Sequence, residues 1–150
     1  MSLGTLEPRS LFTSVSTGLA VRSSHKRTRN RVIVVDDDPS ILRAVQRVLQ
    51  VHGYDTEVFN SVEDFLKRAH LEEATCLVLD IHIQHECGIE LRRKLKRSGR
   101  SLPVIFITAV ESEVTRKAAL EAGCVAYLQK PFPSSLLIEA VEATFKEGKS

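Results

Sequence analysis

Short apolar runs alternate with amphipathic stretches from Arg31 almost to the end of the chain. The runs begin near Val32 (VIVV), Tyr54 (YDTEV), Cys76 (CLVL), Leu102 (LPVIFI) and Val125 (VAYL), with start-to-start separations of 22, 22, 26 and 23 residues. Each interval holds one helix and two short loops, the spacing of consecutive βαβ units. Four runs are apolar throughout, as strands covered on both faces by helices must be. The second run alternates, which places it at a sheet edge.

The intervening stretches carry helix signals. Ile41, Leu42, Val45, Val48 and Leu49 recur at helical spacing, with Pro39 near the start and Gly53 just past the end. Asn60 with Glu63, or Ser61 with Asp64, can cap a second helix running to about His70. Leu91 and Leu95 mark a third that stops at Gly99, and Val114, Ala118 and Leu120 mark a fourth that stops at Gly123. Ser134 or Ser135 opens a fifth, with Leu137, Ile138, Val141 and Phe145 inward. The pattern predicts an α/β fold: a doubly wound, five-stranded parallel sheet between two helical layers.

Composition sharpens the domain boundaries. A chain of 150 residues allows one domain, and 43% hydrophobic with 27% charged residues excludes a wholly disordered one. No run approaches the roughly 18 apolar residues of a membrane span, so no membrane association is expected. The net charge of +2 is too balanced to argue for nucleic acid, but it hides a split. Residues 1–31 hold six basic side chains against Glu7 alone. Residues 1–30 are therefore expected to be a basic, disordered leader, although Arg-rich, Ser/Thr-rich, acid-poor composition is also that of a transit peptide. Residues 31–147 form the expected domain and 148–150 a tail. Three irregularly spaced cysteines (Cys76, Cys87, Cys124) make no disulfide framework and fit a reducing, cytoplasmic setting.

In open α/β sheets, ligands bind outside the carboxyl ends of the strands. The first strand ends in Asp36, Asp37 and Asp38, the third in Asp80, the fourth in Thr108, and Lys130-Pro131 follows the fifth. Close carboxylates repel one another unless a cation sits among them. Oxygen donors with room for water suit Mg²⁺. A carboxylate can also act as a nucleophile toward phosphorus, with metal and ammonium neutralising the transferring oxygens. Asp38 reads more simply as a helix cap ahead of Pro39-Ser40.

These residues bring a family into view. VVDDDPS at 34–40, LVLDIHIQHECGIEL at 77–91, VIFITA at 104–109 and AYLQKPF at 126–132 make the chain resemble the receiver domain of two-component response regulators. It looks most similar to receivers found on LuxR/NarL-like helix-turn-helix regulators. The resemblance implies a flavodoxin-like (βα)5 fold with strand order 2-1-3-4-5. It implies that Asp80 accepts phosphate from a sensor histidine kinase or a phosphotransfer protein. Asp37 would bind Mg²⁺ directly with Asp80 and the backbone carbonyl of His82, and Asp36 would act indirectly. Thr108 and Lys130 would engage the phosphoryl group, Pro131 would follow a cis peptide, and Tyr127 would turn inward as Thr108 moves. The face of the fourth helix, fifth strand and fifth helix would serve a partner or a homodimer. The only catalysis implied is of the domain's own phosphotransfer and dephosphorylation.

The departures are as informative. A Met-Pro pair is common in the loop after the phosphoacceptor; Ile83-Gln84 stands there instead, which removes a fixed φ and predicts a more mobile loop. The resemblance implies that the positions of Val110 and His82 tune phosphate loss, and an apolar Val110 predicts slow loss. His82, His85 and Cys87 could hold zinc or copper, although a solvated loop explains them as well. Arg92, Arg93, Lys94, Lys96, Arg97 and Arg100 lack interleaved aromatics, so a solvated helix face is expected and no direct nucleic-acid contact. A haloacid-dehalogenase-type hydrolase needs an acid two residues past the nucleophile, where His82 stands. A phosphate-independent binding module is the alternative, against which the joint presence of Asp37, Asp80, Thr108 and Lys130 argues.

Overall fold

The computed structural model describes residues 30–110 and 112–149, so the leader expected at residues 1–30 lies, Asn30 excepted, outside the described residues. The apolar runs become strands β1 (Arg31–Val35), β2 (Asp55–Phe59), β3 (Ala74–Asp80), β4 (Val104–Thr108) and β5 (Ala126–Gln129). The amphipathic stretches become α1 (Pro39–Val51), α2 (Val62–Arg68), α3 (Gly88–Arg97), α4 (Glu113–Ala122) and α5 (Ser134–Lys149). All five strands are parallel in the order β2-β1-β3-β4-β5, the expected 2-1-3-4-5. The alternating run β2 is an edge strand, as its pattern requires.

Because successive strand residues face opposite sides, the sheet has two cores. Ile33, Val35, Leu77, Leu79 and Phe106 pack on one side with Phe65 of α2, Leu91 and Leu95 of α3 and Ala119 of α4. Val32, Val34, Val78, Ile105 and Ile107 pack on the other with Leu42, Val45 and Leu49 of α1 and Leu137 and Val141 of α5. Each such fully buried side chain favours the fold by about 1.5–3 kcal/mol over its exposed state. Phe145 meets Tyr54 edge to face, ring centroids 5.1 Å apart.

Local chemistry sets the helix starts. Asp38 caps α1, its carboxylate accepting from Ser40 N–H at 2.9 Å and from Ser40 Oγ at 2.7 Å. Those bonds hold the Asp38 pKa below the usual carboxylate value. Ser61, rather than Asn60, caps α2, accepting from Asp64 N–H at 3.1 Å.

Two expectations need correcting. Val114 and Leu120, read as marking the buried stripe of α4, are exposed at 79% and 55%, while Ala119 and Ala122 face the core. At about 100° per residue the two larger side chains fall off the stripe that Ala119 and Ala122 share. Arg92, placed on a solvated face, is buried and donates from Nη1 to the Leu102 carbonyl at 2.6 Å. In the loop after β3, His82–Ile83 and Glu86–Cys87 form a short antiparallel ribbon, anchored by fully buried Ile83.

Candidate functional site

The strand order reverses between β1 and β3, and ligands bind at such switch points. β1 runs straight into Asp36 and Asp37, and β3 ends in Asp80. One oxygen from each of these three carboxylates lies within 4.8 Å of the others, the one such grouping of acidic, His or Cys side chains among the described residues. The His82, His85 and Cys87 metal site is therefore not assembled.

Lys130, at the end of β5, closes the pocket. Its Nζ donates to Asp36 Oδ2 at 2.7 Å and to Asp80 Oδ2 at 3.1 Å. Asp36 Oδ1 accepts from Asp38 N–H at 2.9 Å, and Asp80 Oδ1 accepts from His82 N–H at 3.2 Å. Asp36 is fully buried, and burial pushes its pKa up to about 6, reinforced by the Asp80 charge and opposed by the bonds from Lys130 and Asp38. Burial pulls the Lys130 pKa down, but the hydrogen bond and charge of Asp36, with those of Asp80, outweigh it and leave a net upward shift. Lys130 is thus an ammonium at neutral pH. The Lys130–Pro131 peptide is cis.

Asp37 is exposed and reaches the ribbon instead, its Oδ2 accepting from Gln84 N–H at 2.8 Å. Gln84 is the one non-glycine residue with positive φ among those described, at 58°. Gly88 lets the ribbon return against β3: a Cβ there would lie 2.2 Å from the Asp80 carbonyl oxygen. Its N–H donates to the Ile81 carbonyl at 2.8 Å. The sequence marks Gly88 only as a helix start, and no motif in it marks the Gln84 contact. The one available signal was the missing proline, since proline has no N–H to donate.

Thr108 adjoins this carboxylate–lysine group through its backbone, its carbonyl accepting from Lys130 N–H at 2.8 Å. Thr108 is buried, but its hydroxyl accepts from Val110 N–H at 3.1 Å within its own turn. Tyr127 pairs in register with Phe106 and is half-buried against the core, with the Arg116 guanidinium 5.6 Å from its ring centroid. The ring thus starts partly inward, not from solvent.

The donor set suits a hard divalent cation. It offers three carboxylates and is open on the Asp37 side.

Fold and site together define an open α/β domain whose chemistry is a carboxylate–lysine pocket at the switch point. The family described as the response regulator receiver domain matches residues 32–142, and the chain belongs to it. It is 33% identical over 119 residues to the response regulator MprA of Mycobacterium leprae (strain TN), covering 79% of this chain and 52% of that one. It is 32% identical over 123 residues to the response regulator protein TodT of Pseudomonas putida, covering 81% and 54%. The chain thus spans about half the length of these relatives. Among solved structures it is similar to the BeF3-activated DrrB receiver domain, with 30% identity, TM-score 0.69 and coverage of 79% and 98%. It is also similar to the beryllofluoride-activated NtrC4 receiver domain dimer, with 27% identity, TM-score 0.73 and coverage of 79% and 98%. The receiver domain expected from the sequence is the family found.

Proposed function

We propose that Asp80 is the phosphoacceptor of this receiver. A carboxylate oxygen of Asp80 attacks phosphorus of a phosphohistidine on a sensor kinase or phosphotransfer protein. The P–N bond breaks, the histidine leaves with a proton, and an acyl phosphate forms on Asp80. Asp37, Asp80 and the His82 backbone carbonyl would hold Mg²⁺, with buried Asp36 supporting the site indirectly. The bound ion supplies charge neutralisation for the phosphoryl oxygens. Lys130 moves from its bond with Asp80 to the incoming phosphoryl group while staying anchored on Asp36. The domain catalyses only its own phosphotransfer and the later hydrolysis. Exposed, apolar Val110 orients no water, which favours slow phosphate loss.

The single observation that carries this reading is the Lys130 Nζ bridging Asp36 and Asp80 at the switch point. It pre-positions a cation where negative charge will arrive. Incubation with Mg²⁺ and acetyl phosphate, followed by intact-mass measurement, tests it. Wild type and Asp38→Asn gain a phosphoryl group, whereas Asp80→Asn gains none. Equal labelling of wild type and Asp80→Asn overturns the assignment.

The output follows from the far half of the rim. Thr108 exchanges its Val110 bond for a phosphoryl oxygen, and Tyr127 packs deeper as space opens beside β5. The α4–β5–α5 face, where Val114 and Leu120 stand exposed, then meets a partner or a second copy. The related NtrC4 receiver is described as a dimer in its activated form, which supports that choice. Among the described residues no helix is long and apolar enough to cross a membrane. A cytoplasmic phosphorelay regulator is the setting we propose.

A further inference from the structure

We propose that the Gln84 backbone N–H is a positioning group for Asp37, fixing this otherwise exposed carboxylate so that one oxygen is turned to the cation. The proposal rests on the reading of Asp37 as a metal ligand and goes beyond it, to how a side chain on an open rim is held for that role.

Asp36 and Asp37 are neighbours with opposite situations. Asp36 is buried and held by Lys130 and Asp38 N–H. Asp37 is exposed, and an exposed carboxylate that must order on binding loses rotamer freedom that weakens the complex. Among the described residues, the Asp37 side chain is held from 47 residues away in sequence, by the 2.8 Å bond from Gln84 N–H to Oδ2. With Oδ2 occupied, Oδ1 is left for the cation. Ligating carboxylates are commonly fixed by such a hydrogen bond on the second oxygen.

The backbone of Gln84 shows that the contact is imposed against local preference. Gln84 and His85 form the two-residue turn between the ribbon strands, with φ of 58° at Gln84. That left-handed conformation favours glycine and is uncommon for a long side chain. Residues persist in such conformations where the surroundings over-determine them. Two anchors do so: buried Ile83 on one side of Gln84, and Gly88, packed on the Asp80 carbonyl, at the ribbon's end. The strained turn thereby aims one N–H at Asp37. Proline could adopt neither this φ nor this bond.

The test uses the full chain in two measurements. In metal-free protein, the Gln84 amide hydrogen exchanges at least tenfold more slowly than in Asp37→Ala, while the Ile81 and His82 amides are protected equally in both. Mg²⁺ is then titrated by following backbone amide resonances. Gln84→Pro, which loses the N–H, binds Mg²⁺ about tenfold more weakly, and Gln84→Gly, which keeps it, stays within about twofold of wild type. Asp37→Ala loses far more. If Asp37→Ala weakens Mg²⁺ binding but Gln84→Pro binds as wild type does, the positioning role fails and the metal site stands. If Asp37→Ala binds Mg²⁺ unchanged, the metal-site reading fails and takes the positioning role with it. Should Gln84→Pro not fold, equal Gln84 exchange in wild type and Asp37→Ala still overturns the proposal.

Discussion

The two halves of the carboxyl rim differ in how their polar groups are held. On the β1–β3 side, Asp36, Asp37 and Asp80 are each held by a partner distant in the chain: Lys130, just past β5, bonds Asp36 and Asp80, and Gln84 of the ribbon turn bonds Asp37. On the β4–β5 side, the Thr108 hydroxyl bonds Val110, two residues along its own chain, and Tyr127 is half-buried under an arginine. The first half is assembled before any ligand arrives. In the second, the Thr108 hydroxyl holds a bond that can be exchanged at small cost, a neutral local hydrogen bond being worth about 0.5–1.5 kcal/mol net. A receiver needs both: a rigid place to take charge, and a neighbour free to respond to it.

Breaking the rigid half has the largest consequence. Lys130→Met removes the cation from two buried carboxylates and is expected to cost about 3 kcal/mol of stability at pH 8, as removal of one partner of a buried pair does. Asp36 already has a pKa raised to about 6, so in wild type the folded state holds more protons than the unfolded state between its ordinary value and about 6, and stability falls as pH rises through that window. Without Lys130 that pKa rises further and the window extends upward. The loss in Lys130→Met is therefore smaller at pH 5 than at pH 8, and denaturant titration at both pH values measures it.

Gly88→Ala is expected to follow at about 1–3 kcal/mol, because the added methyl meets backbone that cannot swing aside. Amide chemical-shift changes should concentrate in the ribbon and at Asp80, sharpening the claim that the ribbon braces the acidic half. Shifts spread evenly over α3 instead would mean that Gly88 matters only to the helix.

The same contrast explains what was legible in the sequence. VIVV and CLVL are unbroken apolar runs, so their burial on both faces could be read directly, as could Asp36, Asp37, Asp80 and Lys130 at strand ends. Asp38 announced its capping role through Pro39-Ser40. What escaped depended on tertiary packing. Arg92 lies in a run of basic residues, and only the nearby Leu102 carbonyl makes its burial tolerable. Val114 and Leu120 outrank Ala119 and Ala122 in hydrophobicity, yet space against the sheet favours the small pair. The ribbon turn lacks the glycine or asparagine that would signal it, because its conformation is set by Ile83 and Gly88. The Thr108 position was legible, but its hydroxyl's present partner depends on the local turn.

The division of labour along the rim is tested most directly by Thr108→Ala. Phosphate uptake from acetyl phosphate and sedimentation with and without beryllofluoride are measured on the variant and on wild type. Capture belongs to the β1–β3 half, so Thr108→Ala takes up phosphate like wild type but loses most of the beryllofluoride-induced change in self-association. An undiminished association response in Thr108→Ala, or loss of phosphate uptake itself, would contradict the account.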